Sequence, residues 1–430
     1  MRKRLERWFR EALSGLCPME AVRRAARREG SLLRISDISI DLDSVRRVFA
    51  IAFGKASRRM AEAVLPLLQG VELRGLLVPP APDRAPLPPL EVVPGGHPFP
   101  DEGSLRAANL ALSLAGEAGE KDLVLFLVSG GGSSLLEAPA CDGLGPDGLR
   151  ALHEALVGSG LDIAAINALR KRRSAVKGGR LAERAAPARQ ITLLVSDVPA
   201  DRPDAVASGP TMPDRSPRSD LLRALSFARA RLPEDLCRVL EGLPELPEPT
   251  GAAFARASFV TVLDSDCAID LLAAAAERNG ARAERIPAPA RDPSIGEAAG
   301  SLLSRLERLR ATVPSGPAAV VTGGELSVPL PARHGIGGRN AQFALALSLA
   351  IEGRGIAALS AGTDGIDGGW NGAGAVVDGT TAARARAAGL DPARHLAAFD
   401  AAPLFEALGD AVVTGPTGTN VRDLRILVHE

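Results

Sequence analysis

The chain has 430 residues, of which 46% are hydrophobic and 24% are charged, and its 51 basic residues equal its 51 acidic residues in number. This balance provides no attraction for nucleic acid, and aromatic residues, at 3%, are too few to stack bases. No run of 18 consecutive apolar residues occurs, so the sequence predicts no membrane span. The length predicts two domains or more.

The four cysteines, at positions 17, 141, 237 and 267, lack the spacing of metal-ligand motifs and indicate a reducing environment, so we expect a cytoplasmic protein. The N-terminal segment contains several arginines, but it also contains glutamates and lacks the apolar core of a signal peptide. Apolar residues at helical spacing instead predict one or two amphipathic helices in residues 1–30. The oligomeric state stays open, with a homodimer as one option.

Lys55 follows the first predicted strand, an apolar segment at residues 47–53 that ends in Gly54. A helix is predicted directly after it, and ligands of open α/β sheets bind at such junctions. Only five of the 51 basic residues are lysines, which singles out Lys55 and Lys177, both next to glycines, as positions that need a compact ammonium group. The alternative is that Lys55 is a solvent-facing lysine on the first turn of the helix.

The most informative stretch begins with the apolar run at residues 123–128, which predicts a strand buried on both faces. A loop of three glycines and three serines follows, and its backbone N–H groups and hydroxyls are suited to bind an anion. The loop is neither a Walker A motif nor a dinucleotide fingerprint, and the alternative is a flexible loop after a core strand. The residues of this loop that we predict to bind substrate are Ser129, Gly130, Gly131, Gly132, Ser133 and Ser134.

Two charged features follow this loop. Residues 162–186 predict a helical segment with Arg170 and Lys177, and the glycines beside Lys177 indicate close approach to another group, although a solvated helix face is the usual explanation. Asp197 follows a predicted strand at residues 190–195, where a carboxylate can act as a base or metal ligand; the alternative is a turn cap. The prolines in residues 244–249 predict a linker.

The second half again shows strands followed by glycine-rich loops. Strands are predicted at residues 259–263, 318–321 and 356–359, a helix at 341–351, and loops at 322–325, 335–340 and 360–368. The sequence therefore predicts an α/β protein of two domains, residues 1–245 and 246–430, whose mainly parallel sheets face each other across a cleft. Two sets of anion-binding loops fit phosphoryl transfer between a nucleotide and a small acid.

Several of these motifs, taken together and in order, resemble the glycerate 2-kinases of the MOFRL type, a family that is also labelled as hydroxypyruvate reductases. In the first half the matching segments are residues 128–134, 169–182, 195–198 and 207–211. In the second half they are residues 322–325, 337–340, 360–368, 374–381 and 414–424. Several of these segments have eight residues or more, which makes chance agreement improbable.

The resemblance implies phosphorylation of D-glycerate to 2-phosphoglycerate with ATP and Mg²⁺, by an N-terminal Rossmann-like domain and a C-terminal MOFRL domain. By position, Lys55 and Asp197 look like the catalytic pair, with Asp197 also a candidate metal ligand, and Arg339 faces them from the second domain. Arg170 and Lys177 join the glycine–serine loop as substrate-binding residues. The residues that we assign to the nucleotide are Gly323, Gly324, Glu325, Gly337, Gly338, Asn340 and Asp364.

Two departures from the family pattern, at Gln342 and Asn371, each remove a carboxylate and leave room for a shifted nucleotide preference. One alternative function is an NAD(P)-dependent hydroxypyruvate reductase, but no glycine loop has the required fingerprint with an acidic residue about 20 positions further on. Another is a non-catalytic protein that binds small acids. The joint presence of Lys55, Asp197 and Arg339 argues against it.

Overall fold

The structure is a computed structural model that describes residues 1–140, 154–156, 161, 163–231, 234, 237–238, 245–248 and 251–430. These residues form two compact units. The N-terminal unit contains residues 18–195 and 202–262, and the C-terminal unit contains residues 1–17, 196–201 and 263–430. No helix in the described part of the chain is long and apolar enough to cross a membrane. Cys141 and part of the predicted linker at residues 244–249 lie outside the described residues.

The chain begins with two helices, α1 (Arg2–Gly15) and α2 (Pro18–Ala25), as the periodicity of its apolar residues predicts. The rest of residues 1–30 is not helical, because it starts a small antiparallel sheet. The strands of this sheet are β1 (Ala26–Glu29), β2 (Leu32–Ile35) and β3 (Ile38–Asp41).

A larger sheet forms the centre of the N-terminal unit. Its strands are β4 (Val48–Phe53), β5 (Leu73–Val78), β6 (Leu90–Val92), β7 (Leu123–Ser129), β8 (Arg189–Val195) and β9 (Ala257–Leu263). They lie in the order β6–β5–β4–β7–β8–β9, and the pairs β5–β6, β4–β5, β4–β7 and β7–β8 are parallel. Numbered along the chain, this is the order 3-2-1-4-5-6 of doubly wound, nucleotide-binding sheets. Every residue of β4 and β7 is buried, in agreement with their apolar sequences.

Helices connect these strands. They are α3 (Ser57–Val64), α4 (Glu102–Gly116), α5 (Gly132–Leu135), α6 (Ile163–Arg173), α7 (Arg180–Ala185) and α8 (Arg218–Arg231). The helical segment predicted for residues 162–186 is therefore interrupted at residues 174–179. Gly178 and Gly179 have positive φ values of 60° and 87° in this break. Arg180 Nη1 satisfies the end of α6, because it donates to the carbonyl oxygens of Lys171 at 3.1 Å and Arg172 at 2.9 Å. These carbonyls belong to the last turn of α6, where intrahelical partners are lacking.

The sheet of the C-terminal unit is mixed. Its strands are β10 (Arg282–Ile286), β11 (Ala318–Gly323), β12 (Ile356–Gly362), β13 (Gly374–Asp378), β14 (Ala411–Val412) and β15 (Asp423–His429), in the order β10–β11–β15–β12–β13–β14. Only the β10–β11 pair is parallel among these neighbours, because β15 inserts antiparallel between β11 and β12. The predicted α/β class is confirmed, but the expectation of mainly parallel sheets is wrong for this sheet.

Seven helices of the described chain surround this second sheet. They are α1, α9 (Ser265–Arg278), α10 (Ile295–Thr312), α11 (Arg339–Ala350), α12 (Thr381–Ala387), α13 (Pro392–Ala397) and α14 (Ala401–Leu408). Residues 196–201 and the residues after Val262 belong to the C-terminal unit, and residues 202–262 belong to the N-terminal unit. The sequence instead predicted one division, after residue 245. In particular, β9 lies at the edge of the first sheet, although the sequence analysis assigned it to the second half.

Candidate active site

The glycine–serine loop and the segment around Lys55 follow two neighbouring parallel strands, β7 and β4. The two connections are hydrogen-bonded to each other: Lys55 N donates to Gly130 O at 2.9 Å, and Ala56 N donates to Ser129 Oγ at 3.0 Å. Carboxyl ends of parallel strands are the usual ligand sites of such sheets. The structure therefore brings Lys55 and the loop together.

Gly131 keeps the space that the Lys55 side chain occupies. Its φ of +82° is in the left-handed region, and a Cβ there would lie 3.1 Å from Lys55 Cγ and 3.2 Å from His97 Cδ2. The Lys55 side chain is exposed, and no carboxylate in the described ranges forms an ion pair with it. An unpaired ammonium beside a loop of small residues is suited to meet an anionic ligand.

His97 also belongs to this site, although it is not among the site residues that we predicted from the sequence. Burial and the neighbouring Lys55 ammonium lower its pKa, so the imidazole is neutral at physiological pH. The sequence signal is the segment Gly95–Gly96–His97–Pro98 shortly after β6, which is compatible with a turn histidine and with a ligand contact.

The other side of the loop contacts a strained turn. Ser133 Oγ and Ser208 Oγ lie 2.8 Å apart, and the residues Ala207 and Ser208 have positive φ values of 51° and 62°. Side chains larger than glycine adopt this conformation at a cost, and such strain is concentrated at functional sites. This turn belongs to the motif at residues 207–211. The structure therefore joins two motifs that are about 75 residues apart in sequence.

The predicted substrate contact of Lys177 stays a prediction, and its ammonium is engaged within the protein. Its ammonium is buried and forms an ion pair with the buried carboxylate of Glu137, which Arg173 Nη2 also approaches at 3.6 Å. The cations lower the pKa of Glu137 against the opposing effect of its burial. Burial is the main reason that the pKa of Lys177 falls to about 8. The carboxylate of Glu137 opposes this fall only in part, because it also interacts with the other cations.

Arg170 adds another positive charge to this cluster. Burial, and secondarily the charge of Arg173, lower its pKa to about 10. The Nε and Nη1 atoms of Arg173 are buried and have no hydrogen-bond partner in the described structure. Three cations, Arg170, Arg173 and Lys177, are therefore near Glu137, directly after α5. Neither Glu137 nor Arg173 was among the residues predicted from the sequence. For Glu137 the signal was a lone charge after the apolar Leu135 and Leu136.

Asp197 lies two residues beyond the end of β8 and is half-buried. It belongs to the segment 196–201, which is part of the C-terminal unit. Its predicted role as base or metal ligand stays a prediction. In the described ranges no group of three or more His, Cys, Asp or Glu side chains is arranged to hold a metal ion.

Arg339 is fixed at the start of α11 by two carboxylates. Its Nε donates to Asp423 Oδ2 at 2.6 Å, its Nη2 donates to Asp423 Oδ1 at 3.2 Å, and Nη2 also lies 3.0 Å from Glu325 Oε1. The side chain keeps 36% of its surface exposed, so its guanidinium can still contact a ligand. Burial raises the pKa of Glu325 against the attraction of Arg339. The structure thus brings Glu325 and Arg339 together.

The predicted nucleotide contact of Asn340 stays a prediction, and its side chain is engaged within the protein. The residue is buried, its amide oxygen accepts from Ser360 Oγ at 2.6 Å, and its Nδ2 donates to Asp367 Oδ1 at 3.3 Å. Asp367 also accepts from the backbone N–H groups of Asn340 and Ala341 at 3.0 and 2.8 Å, which anchors the start of α11. Burial raises the pKa of Asp367 to about 6 despite these bonds. Asn340 therefore stabilises the start of α11 through its bonds to Ser360 and Asp367.

The remaining residues assigned to the nucleotide lie in loops at strand ends or before α11. Gly323 and Gly324 are buried at the end of β11, whereas Gly337 and Gly338 are half-buried before α11. Asp364 Oδ1 accepts from Ile366 N at 3.1 Å within its own turn. Of the two departures from the family pattern, Gln342 is buried and donates to Leu396 O at 2.7 Å, so it joins α11 to α13. Asn371 is exposed.

Comparisons with known proteins agree with this architecture. The family model described as a domain of unknown function, DUF4147, matches residues 4–241, and the MOFRL family model matches residues 318–423. The chain therefore belongs to the family of proteins that combine DUF4147 and MOFRL regions.

Individual relatives cover nearly the whole chain. A protein of Thermotoga maritima named D-glycerate 2-kinase is 38% identical over 384 residues, which are 88% of this chain and 90% of the relative. A protein of Agrobacterium vitis with a provisional hydroxypyruvate reductase name is 39% identical over 390 residues, 89% of this chain and 99% of the relative. The crystal structure of a glycerate kinase from Thermotoga maritima superimposes with a TM-score of 0.84 and 34% identity, covering 100% of this chain and 99% of the other.

Proposed function

We propose that the protein is a glycerate 2-kinase, which transfers the terminal phosphoryl group of ATP to the 2-hydroxyl of D-glycerate. The observation that carries this proposal is the Lys55 ammonium beside the glycine–serine loop, which pairs with no carboxylate among the described residues. A cation placed there stabilises the negative charge of a transferring phosphoryl group. The names of the relatives support the choice of D-glycerate and ATP as substrates.

The N-terminal unit binds the small acid in this proposal. Backbone N–H groups of the loop and the half-exposed Ser133 hydroxyl hold the carboxylate. Arg170 and Lys177 contribute the positive charge of their cluster, and Lys177 does so without contact because its ammonium is buried against Glu137. The buried cluster thus favours an anion at the loop without touching it.

Asp197 is the proposed general base. Its carboxylate accepts the proton of the 2-hydroxyl while the hydroxyl oxygen bonds to the γ-phosphorus. The bond between the γ-phosphorus and its bridging oxygen breaks, and ADP leaves with the electron pair. His97 is neutral at physiological pH, so it adds no charge that would compete with Lys55.

The C-terminal unit binds the nucleotide in this proposal, through the loops that contain Gly323, Gly337 and Asp364. Arg339 contributes a planar guanidinium whose orientation Asp423 and Glu325 maintain. Asn340 acts indirectly, by holding the start of α11 together with Asp367.

Mg²⁺ fits this scheme as a companion of the nucleotide. Mg²⁺ in kinases is held by one or two carboxylates together with substrate phosphates, so a dedicated cluster of three protein ligands is not required. Holding this ion is the alternative role of Asp197, in place of its role as general base. When bound, the ion would neutralise charge on the nucleotide phosphates. The cytoplasmic location and a homodimer stay predictions.

A coupled assay for ADP release tests the proposal, with ATP, MgCl₂ and D-glycerate, and phosphorus NMR identifies the product. We expect ADP release that depends on D-glycerate and a product phosphorylated at carbon 2. Asp197→Asn should lower kcat strongly with little change in thermal stability. A protein that releases no ADP under these conditions, or an Asp197→Asn variant with wild-type kcat, would contradict the corresponding assignment.

The provisional name of the Agrobacterium relative keeps hydroxypyruvate reduction as a second candidate. The loops after the parallel strands lack the dinucleotide fingerprint, which argues against it. Oxidation of NADH or NADPH by hydroxypyruvate, followed at 340 nm in the same preparation, would establish the reductase.

A further inference from the structure

A cavity of about 360 Å³ lies at the carboxyl ends of β10 and β11 in the C-terminal unit. These two strands form the parallel pair of that sheet, and their carboxyl ends are where α/β proteins place ligands. The volume is within the range of roughly 300–1,000 Å³ found for small-molecule sites. The lining residues used below are Ile286, Pro289, Ala298, Ser301, Leu302 and Arg425.

Most of the cavity wall is apolar. Ile286 and Pro289 form one side, and Ala298 and Leu302 of α10 contribute buried apolar surface. Two arginines line the cavity: Arg425 is paired with Asp423 at 3.1 Å, and the exposed Arg291 lies 3.9 Å from Glu297. An uncharged aromatic ring would be stabilised by the same wall.

Arg425, which lines the cavity, has a polar atom without a partner in the described structure. Arg425 is 2% exposed, its Nη1 donates to Gly324 O at 2.9 Å, and its Nη2 donates to Asp423. Its Nε is buried and has no hydrogen-bond partner in the described structure. A buried N–H without a partner is costly, and a ring nitrogen or carbonyl oxygen of a ligand would satisfy it.

The glycine loop beside the cavity leaves room for a ligand to continue past it. Gly324 has a φ of +92°, and a Cβ there would lie 3.2 Å from Pro289 Cδ and 3.4 Å from Arg422 Nη1. Arg422 Nη1 is itself buried and without a partner in the described chain, while its Nη2 donates to Asp292. A side chain at position 324 would therefore occupy the space next to a second unused donor.

We propose that this cavity is a base pocket that holds the purine ring of the nucleotide substrate. An acceptor atom of the ring accepts a hydrogen bond from Arg425 Nε. The sugar–phosphate chain passes Gly324 towards Arg422. This assignment rests on the proposed kinase function and adds the location and chemistry of base recognition. The apolar wall favours a flat heteroaromatic ring, and the unpartnered Nε offers that ring one hydrogen-bond donor.

Filling the pocket tests the assignment directly. Ala298→Phe places an aromatic ring in the cavity, and Gly300→Phe is the matched control, since Gly300 is exposed on the same helix and its Cβ would meet no atom within 4 Å. We expect the Kd for ADP, measured by calorimetry, to rise at least tenfold in Ala298→Phe and to stay within twofold in Gly300→Phe. The Kd for inorganic tripolyphosphate, which lacks a base, should be unchanged in both variants.

Ser301→Trp provides a second test if Ala298→Phe does not fold, because Ser301 lines the cavity and is exposed. An ADP affinity that is unchanged in the filled variants, or equal losses for ADP and tripolyphosphate, would overturn the base pocket. The kinase proposal would survive that result if the wild type still released ADP with D-glycerate. A wild type that neither binds nor produces ADP would overturn both.

Discussion

Lys55 lies beside the glycine–serine loop and has no ion-pair partner among the described residues. Surface lysines usually contribute little to stability, so removing this ammonium should leave the fold intact. In the proposed mechanism, this ammonium stabilises the negative charge that develops during phosphoryl transfer.

Lys55→Ala should therefore lower kcat by ~10²–10³, the typical loss for one electrostatic partner of a transition state. The measurement is ADP release at saturating ATP and D-glycerate, together with thermal unfolding. Lys121→Ala, another exposed lysine of the N-terminal unit, is the control and should be silent in both. A Lys55→Ala variant with more than a third of wild-type kcat would remove Lys55 from the catalytic residues.

Glu137 has the opposite character, because it is buried and engaged by cations. Glu137→Gln leaves Lys177 and Arg173 without their counter-charge, and breaking a buried pair from one side costs about 3–5 kcal/mol. We expect a loss of that size in the free energy of unfolding from urea titration. Glu120→Gln, at an exposed position, should change it little.

The double variant Glu137→Gln with Lys177→Met separates charge from shape. It should recover part of the lost stability, because one unpaired cation is gone. Equal losses in the single and double variants would show that the ion pair is not what stabilises this region.

At the scale of elements, Asp101 connects a helix to the His97 segment. Its Oδ1 accepts from Ser104 N at 2.9 Å, as the cap of α4, and from Gly96 N at 2.9 Å. The capping box with Ser104 fixes where α4 begins, and the bond to Gly96 fixes the turn that precedes it.

Asp101→Ala should lower the free energy of unfolding by roughly 1–2 kcal/mol, the range for a lost N-cap. Hydrogen exchange should also accelerate at the first turn of α4 and at Gly96. Asp37→Ala, at an exposed aspartate with no side-chain hydrogen bond in the described structure, is the comparison. If both variants unfold alike, the cap does not determine where this helix begins.

At the scale of the whole molecule, the first helix belongs to the C-terminal unit although it begins the chain. Leu5, Trp8, Phe9 and Ala12 of α1 are buried, and α1 packs on α9 of the same unit. The C-terminal unit therefore depends on residues that precede the N-terminal unit in sequence.

Trp8→Ala should cost ~3–5 kcal/mol, as expected when a buried aromatic side chain is truncated. Urea unfolding, followed by circular dichroism, measures the loss. Lys3→Ala, on the exposed face of α1, should be neutral. A neutral Trp8→Ala would mean that α1 is dispensable for the C-terminal unit.

Local sequence was sufficient for the elements whose cause is local. The apolar runs of β4 and β7 predict buried parallel strands, and the glycines and serines of residues 129–134 predict a loop with small side chains. The order of motifs along the chain also indicated the family, because each motif is a short continuous segment. These features depend on neighbouring residues alone, so they can be read without knowing the tertiary fold.

Only the tertiary structure decided which charges face each other. Lys177 and Glu137 are 40 residues apart, and nothing local to Lys177 shows that its ammonium is buried against a carboxylate. The same holds for Asn340, which Ser360 and Asp367 engage from later segments, and for β15, which inserts antiparallel between β11 and β12. The physical reason is that burial and pairing depend on contacts between distant segments, whereas periodicity and turn chemistry depend only on the residues nearby.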